Sequence, residues 1–316
     1  MRNMSLVQTE LVAVLVVFNG DTPRVLTLED GRSLPNGPLR TDDRSLQASL
    51  RAAVERQTGV AVGHLEQLYT FADHLPADGE PRRVAISYLA LTRVGAERPA
   101  EHANPFDEAG SPAAWRDWYD YFPWEDQACP RAAPAVGALL QRLDDWITRQ
   151  SPERWEELRQ RRDQVFGLNG ESWNDELVLQ RYELLYEAGL VPEAQMADIG
   201  GDACVTGLAM RHDHRRILAT AIARLRAKIR YRPVIYELMP DQFTLFALQQ
   251  AVERVAGRHV HKQNFRRQVA HQGLIEETGD ESREAGGRPA RLYRFRRSVV
   301  MERVVAGSKL PIVRAR

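Results

Sequence analysis

At 316 residues, with 43 Lys plus Arg against 43 Asp plus Glu, the chain is long enough for about two domains, each with its own core. Its two cysteines, Cys129 and Cys204, belong to no CxxC or Cys/His cluster, which excludes a disulfide scaffold and argues against a zinc site. The zero net charge conceals an asymmetry: residues 211–316 hold 23 Lys plus Arg against 10 Asp plus Glu, so residues 1–210 are acidic by the same margin, as in a nucleic-acid reader attached to something else.

Leu11 to Phe18 is a continuous apolar run closed by Asn19-Gly20-Asp21, which predicts a strand buried on both faces. It is too short for a membrane span and, with Glu10 before it, a poor signal peptide, so the expected location is the cytoplasm. A second strand fits Arg24–Leu28, and a loop over Gly31–Thr41 contains Leu34-Pro35-Asn36-Gly37-Pro38. Ser45 caps a helix that runs to about Gln57 and stops at Thr58-Gly59, with Leu46, Leu50, Ala53 and Val54 on one side. Strands over Leu65–Phe71 and Val84–Thr92, separated by a polar loop, complete a mixed α/β pattern.

From Ala113 to about Gly207 the pattern is largely helical and poor in catalytic groups. It opens on an aromatic cluster, Trp115, Trp118, Tyr119, Tyr121, Phe122 and Trp124. Such rings can stack an adenine or nicotinamide, but they more often form a core or an interdomain plug. Helical spacing follows over 136–148, 152–166 and 174–188.

Arg211-His212-Asp213-His214 opens a long helix with Leu218, Ile222, Leu225 and Ile229 at heptad-like spacing. Two histidines two residues apart at a helix start do not share a face, so no metal site is expected there. Its apolar stripe should pack against the domains or a partner copy, and its basic face should help to hold phosphates.

A helix over Thr244–Val255 presents Leu245, Leu248, Val252 and Val255 and ends at Gly257. In the next, Val260–Gln272, Phe265 and Val269 point inward, so Gln263 and Arg267 face outward beside Asn264 and Arg266. Those side chains suit base edges, and Lys262 suits a phosphate. Two short runs, Leu274–Thr278 and Ala290–Phe295, then form a hairpin with Arg288 and Arg291 on or beside it. Helix, turn, basic helix and basic hairpin read as a DNA-binding winged helix, with Lys262, Gln263, Asn264, Arg266, Arg267, Arg288 and Arg291 as DNA contacts; the alternative is a merely solvated face.

Leu-Pro-x-Gly at 34–37, a helix ending in Thr58-Gly59-Val60 and a strand rising to Tyr69-Thr70-Phe71 resemble the Nudix domain, whose box is G-x5-E-x7-R-E-U-x-E-E-x-G-U. The R-E-U-x-E-E positions fall on Ala52, Ala53, Val54, Glu55, Arg56 and Gln57. A hard cation needs carboxylates there, so the expectation is no Nudix hydrolysis, no catalytic residue and no metal.

Asp213 to Leu218, Ala223 to Pro233, Asn264-Phe265-Arg266-Arg267 and Gly287 to Phe295 resemble the Nudix-related transcriptional regulators of NAD metabolism. The insert, with Trp118 to Glu125 and Arg181 to Gly189, looks like the NadQ branch rather than the shorter NrtR branch. The resemblance implies an α/β Nudix-like sandwich with a helical insert plus a C-terminal α+β winged helix-turn-helix domain. The expected divisions are a sensor at 1–112, an insert completing it at 113–210, a connecting helix at 211–235 and a DNA-binding domain at 236–316. Function is implied as well: a dimeric repressor of NAD-synthesis genes on a palindromic operator, sensing NAD, ADP-ribose or ATP, with no catalytic cofactor. Arg56, Trp118, Tyr121, Trp124, Arg211 and His214 are the candidates for holding that nucleotide. The competing readings are a Nudix-type nucleoside-diphosphate hydrolase with an appended nucleic-acid module, and a DNA-binding protein whose Nudix-like part is only structural.

Overall fold

A computed structural model describes residues 7–40, 44–72, 82–92, 113–130, 132–194, 203–231, 234–282 and 289–296. The apolar run near the start becomes β1 (Val7–Phe18), the inner strand of a mixed sheet with β2 (Pro23–Thr27), β3 (Asn36–Pro38), β4 (Glu66–Phe71), β5 (Arg82–Leu91) and β6 (Ala114–Asp117). The order is β4-β5-β1-β2-β6. β1 runs parallel to β5 along one edge; its other edge is shared, with β3 on Glu10–Val12 and β2 on Val16–Phe18. Strand alternation then sorts its side chains: Leu11, Ala13 and Leu15 pack with Leu50 and Val54 of α1 (Leu46–Thr58), while Val12, Val14, Val16 and Phe18 face the other way. Ser45 caps α1 by accepting the Ala48 N–H at 3.2 Å.

Two strands of this sheet fall outside the sequence expectation. β3 lies within the anticipated loop, and β6 begins the aromatic segment, pairing with β2 from Arg24↔Asp117 to Thr27↔Ala114. Three- and four-residue strands are too short to show a period, so only pairing reveals them. Through β6 the insert is joined to the sheet. It continues as α2 (Ala132–Thr148), α3 (Trp155–Phe166), α4 (Val178–Glu187) and the short α5 (Ala203–Thr206).

The connecting helix is α6 (His214–Tyr231), followed by β7 (Phe243–Thr244), α7 (Leu245–Ala256), α8 (Lys262–Gln272), β8 (Ile275–Ser282) and β9 (Ala290–Phe295). The last three strands form a separate sheet in the order β7-β9-β8. Ile217, Leu218, Ile222, Leu225 and Ile229 of α6 are buried in one core with Val12 and Val14 of β1, Tyr182 and Leu185 of α4, and Leu248 and Val252 of α7. The stripe on α6 therefore packs against the rest of its own chain. At about 1.5–3 kcal/mol per fully buried aliphatic side chain, separating the two ends of the molecule exposes several such groups at once.

Candidate DNA interface and nucleotide sensor

On α8, Phe265 and Val269 are buried against the winged-helix core, and that fixes the helix's rotation. Lys262, Gln263, Asn264, Arg266 and Arg267 are all exposed. Gln263 and Arg267 stand one turn apart, with Asn264 Oδ1 accepting from Arg267 Nη2 at 3.4 Å. This face offers forked donors for guanine, amides for adenine and cations for phosphate, the groups a major-groove helix uses.

The hairpin is less basic than its arginines suggest. Arg291 Nη1 donates to Glu277 at 2.9 Å, Arg294 Nε donates to Glu276 at 2.7 Å, and Tyr293 also reaches Glu277. A phosphate contact from Arg291 must compete with Glu277 on the facing strand. Arg288 lies outside the described residues.

On α1, Gln57 at a box position and Arg51 just before the R-E-U-x-E-E positions do structural work. Gln57 clamps Asn36, its Nε2 donating to the carbonyl at 2.8 Å and its Oε1 accepting the N–H at 3.3 Å. Arg51 donates twice to the Gly63 carbonyl. Arg56 is exposed on α1, which packs on the sheet face opposite α6. Among the described residues no three His, Cys, Asp or Glu side chains gather as a metal site, and no helix is long and apolar enough to cross a membrane.

Trp118, Tyr121 and Trp124 are completely buried. Trp118 meets Tyr119, and Trp124 meets Phe122, edge to face at 5.9 Å. The Arg215 guanidinium lies 5.2–5.4 Å from the ring centres of Phe122, Trp124 and Tyr182. Tyr121 donates to the Gly31 carbonyl at 2.7 Å, and burial pushes its hydroxyl up to about 12. No face of these three rings is open to a base in this structure; they plug the space between sheet, insert and α6.

The expectation that the basic face of α6 holds phosphates is corrected by its ion pairs. Arg215 is buried on Glu193 at 3.0 Å, Arg216 pairs with Glu183 and Asp213, Arg224 and Lys228 both pair with Glu66, and Arg226 pairs with Glu125. These cations tie α6 to the sheet and the insert. Only its head remains of interest: exposed Arg211 pairs with Glu29 at 2.7 Å, and His214, three residues on, is buried.

At the middle of the molecule is a cluster that sequence reasoning missed. Glu125, Arg181 and Arg226 are all fully buried. Glu125 accepts from Arg181 at 2.5 and 2.9 Å and from Arg226 at 2.5 Å. Burial alone would push this carboxyl up, but the two guanidiniums outweigh it and hold it below the usual carboxylate range. Arg226 Nε also donates to Val255 O at 2.9 Å at the end of α7, and Arg181 donates to Val165 O and Asn174 O. Insert, connecting helix and winged helix thus meet at one carboxylate. The signal was present: Arg226 stands four residues after Ile222 and next to Leu225, within the apolar stripe.

Compared with known domain families, residues 235–295 match the one described as the NrtR DNA-binding winged helix domain. This part of the chain is similar to the NrtR winged helix. Over 88 residues the chain is 46% identical to the ADPR responsive transcriptional repressor NtrR of Acinetobacter baylyi, a match spanning 28% of this chain and only about a third, 35%, of that relative. Nearly the whole fold is similar to Shewanella oneidensis NrtR: in its crystal structure with a 27mer DNA the TM-score is 0.53 at 20% identity, over 95% of this chain and 99% of that one. Without DNA the same protein gives 0.52 at 19% identity, over the same shares. The chain shares the fold of that protein: an α/β domain with a helical insert, joined to a C-terminal domain similar to the NrtR winged helix.

Proposed function

We propose that this chain is a DNA-binding transcriptional repressor of NAD-biosynthesis genes, acting as a homodimer on a palindromic operator and sensing an adenine nucleotide through a Nudix-like part that does not cleave it. The observation that carries the reading is the exposed donor face of α8 on a domain similar to the NrtR winged helix, whose core is continuous, through α6, with the Nudix-like sheet. Of the three nucleotides the sequence suggests, ADP-ribose comes first, because the Acinetobacter relative is named as ADPR responsive. The loss of box carboxylates at 53, 56 and 57, with Gln57 tied to Asn36, supports binding without hydrolysis. One winged helix reads only a few base pairs, which is why two copies on a two-fold site are expected.

Sensing follows from linkage: a ligand that prefers one arrangement of sheet and winged helix shifts operator affinity, and a coupling of about 1–3 kcal/mol changes it about 5- to 150-fold. The test is fluorescence anisotropy on duplexes from NAD-synthesis promoters against a scrambled duplex, with and without ADP-ribose, NAD and ATP. Specific binding shifted by one of them is the expected result. Absence of specific binding refutes the regulator reading, and metal-dependent cleavage of ADP-ribose refutes the non-hydrolytic part.

A further inference from the structure

The head of α6 contains a buried donor with nothing to donate to among the described residues. His214 is 1% exposed, and its Nδ1 takes the Leu34 backbone N–H at 2.9 Å, with Ser33 Oγ at 3.3 Å. A backbone N–H can only donate, so Nδ1 carries no proton. Burial first, then the charges of His212, Arg83 and Arg211, hold the ring neutral, with its pKa lowered to about 3. A neutral ring bare at Nδ1 is protonated at Nε2. Among the described residues, that Nε2–H has no hydrogen-bond partner. A buried donor left without an acceptor is unfavourable, and a bound ligand can supply the acceptor that the described residues do not.

The surroundings say what kind of acceptor. The His212 ring meets that of His214 edge to face at 6.1 Å, and Arg83 Nη1 donates to His212 Nε2 at 3.1 Å. Arg211 stands three residues before His214, at the start of an eighteen-residue helix whose first-turn amides favour negative charge. The acids nearby are engaged or muted: Glu29 pairs with Arg211 and Asp213 with Arg216, each at 2.7 Å, and burial raises Glu10 beside Arg83. A water molecule can satisfy one donor, but a donor ringed by a guanidinium, a second arginine and a helix start suits an oxyanion better.

We infer that the head of α6 is a phosphate-binding site, in which His214 Nε2 and the Arg83 guanidinium donate to a phosphate oxygen of the nucleotide effector; the identity of that ligand rests on the function proposed above. The site has a direct mechanical consequence. His214 holds Leu34, at the start of the Leu34-Pro35-Asn36-Gly37 segment, and about three turns along the same helix Arg226 holds the end of α7. A phosphate bound at the head of α6 therefore acts on the element that carries the winged helix.

Calorimetric titration of the full chain with ADP-ribose, and separately with inorganic pyrophosphate, tests this. Arg83→Ala removes an exposed side chain, and His214→Asn keeps an acceptor for the Leu34 N–H while removing the Nε2–H. Each should weaken ADP-ribose binding about tenfold or more and abolish pyrophosphate binding, with thermal unfolding of Arg83→Ala unchanged. Arg149→Ala, an exposed arginine just beyond α2, controls for net charge. ADP-ribose affinity within twofold of wild type in both Arg83→Ala and His214→Asn overturns the site while leaving the effector reading intact. Wild-type protein that binds pyrophosphate but no nucleotide keeps the site and overturns the effector reading, and binding of neither overturns both.

Discussion

Glu125→Gln should be among the most damaging single substitutions in this chain, although it is isosteric and lies far from the DNA face. Glu125, Arg181 and Arg226 have no solvent exposure, and Glu125 pairs with both guanidiniums, to which the buried Asp175 carboxylate adds a second negative charge. Removing one partner of a buried ion pair costs about 3–5 kcal/mol, because the remaining charge stays buried without compensation. Two guanidiniums lose their shared partner here, which places the expected loss at the upper end; the Asp175 carboxylate and the carbonyls of Val165, Asn174, Val255 and Asp175 offset only a part. Urea unfolding at pH 7, followed by tryptophan fluorescence, measures it. Arg224→Ala, which breaks an exposed pair with Glu66, should change stability by no more than about 1 kcal/mol in the same assay. The carboxyl also sets a pH signature. Its folded pKa is depressed, so its contribution is complete above the unfolded value near 4.5 and disappears as pH falls below that. A loss below about 1 kcal/mol for Glu125→Gln, against the range expected for breaking a buried pair, would refute the reasoning, since it would mean that the triad is solvated or does not form.

Three further outcomes follow from particular contacts. Gly257 has φ +69, and a Cβ there would fall 2.2 Å from the Glu125 carbonyl, so Gly257→Ala should cost at least about 1–3 kcal/mol from backbone strain and loosen α7 from the insert, read by thermal unfolding. His214 is neutral when folded, with a pKa lowered to about 3 from 6.5. Its contribution is whole above 6.5 and declines by about 1.4 kcal/mol per pH unit below it, so the urea midpoint of His214→Asn should fall less steeply than wild type between pH 6.5 and 4.5. Arg267→Ala should weaken specific operator binding by about 1–3 kcal/mol and leave random DNA nearly unchanged; an equal loss on both, with a shallower salt slope, would assign Arg267 to phosphate instead.

The winged helix was legible in the sequence because its signals are local. Phe265 and Val269 four residues apart fix which way Gln263 and Arg267 point, and Gly257 and Gly273 mark where α7 and α8 end. β1 was legible for the same reason, and so were the missing box carboxylates around Arg56. What covers the plug and what pairs with Arg226 in the buried triad were not. Whether Trp118 and Trp124 stack a ligand or fill a core depends on what covers them, and the covering residues come from α4 and α6, far away in the chain. Composition presented α6 as a basic helix, but Glu66, Glu125, Glu183 and Glu193, which neutralise it, are brought there only by the fold. Glu276 and Glu277 on β8 temper the wing's arginines in the same way, across a strand pair whose register no local pattern specifies.

The central claim is that the Nudix-like part and the winged helix are energetically coupled through one continuous core. Reciprocity tests it most directly: the ADP-ribose dissociation constant is measured by calorimetry for the free protein and for the protein saturated with operator duplex. The account predicts a change of about 5- to 150-fold, by the same factor as ADP-ribose changes operator affinity. Identical ADP-ribose affinity in the two states would contradict it, and the two ends of the chain would then bind their ligands independently.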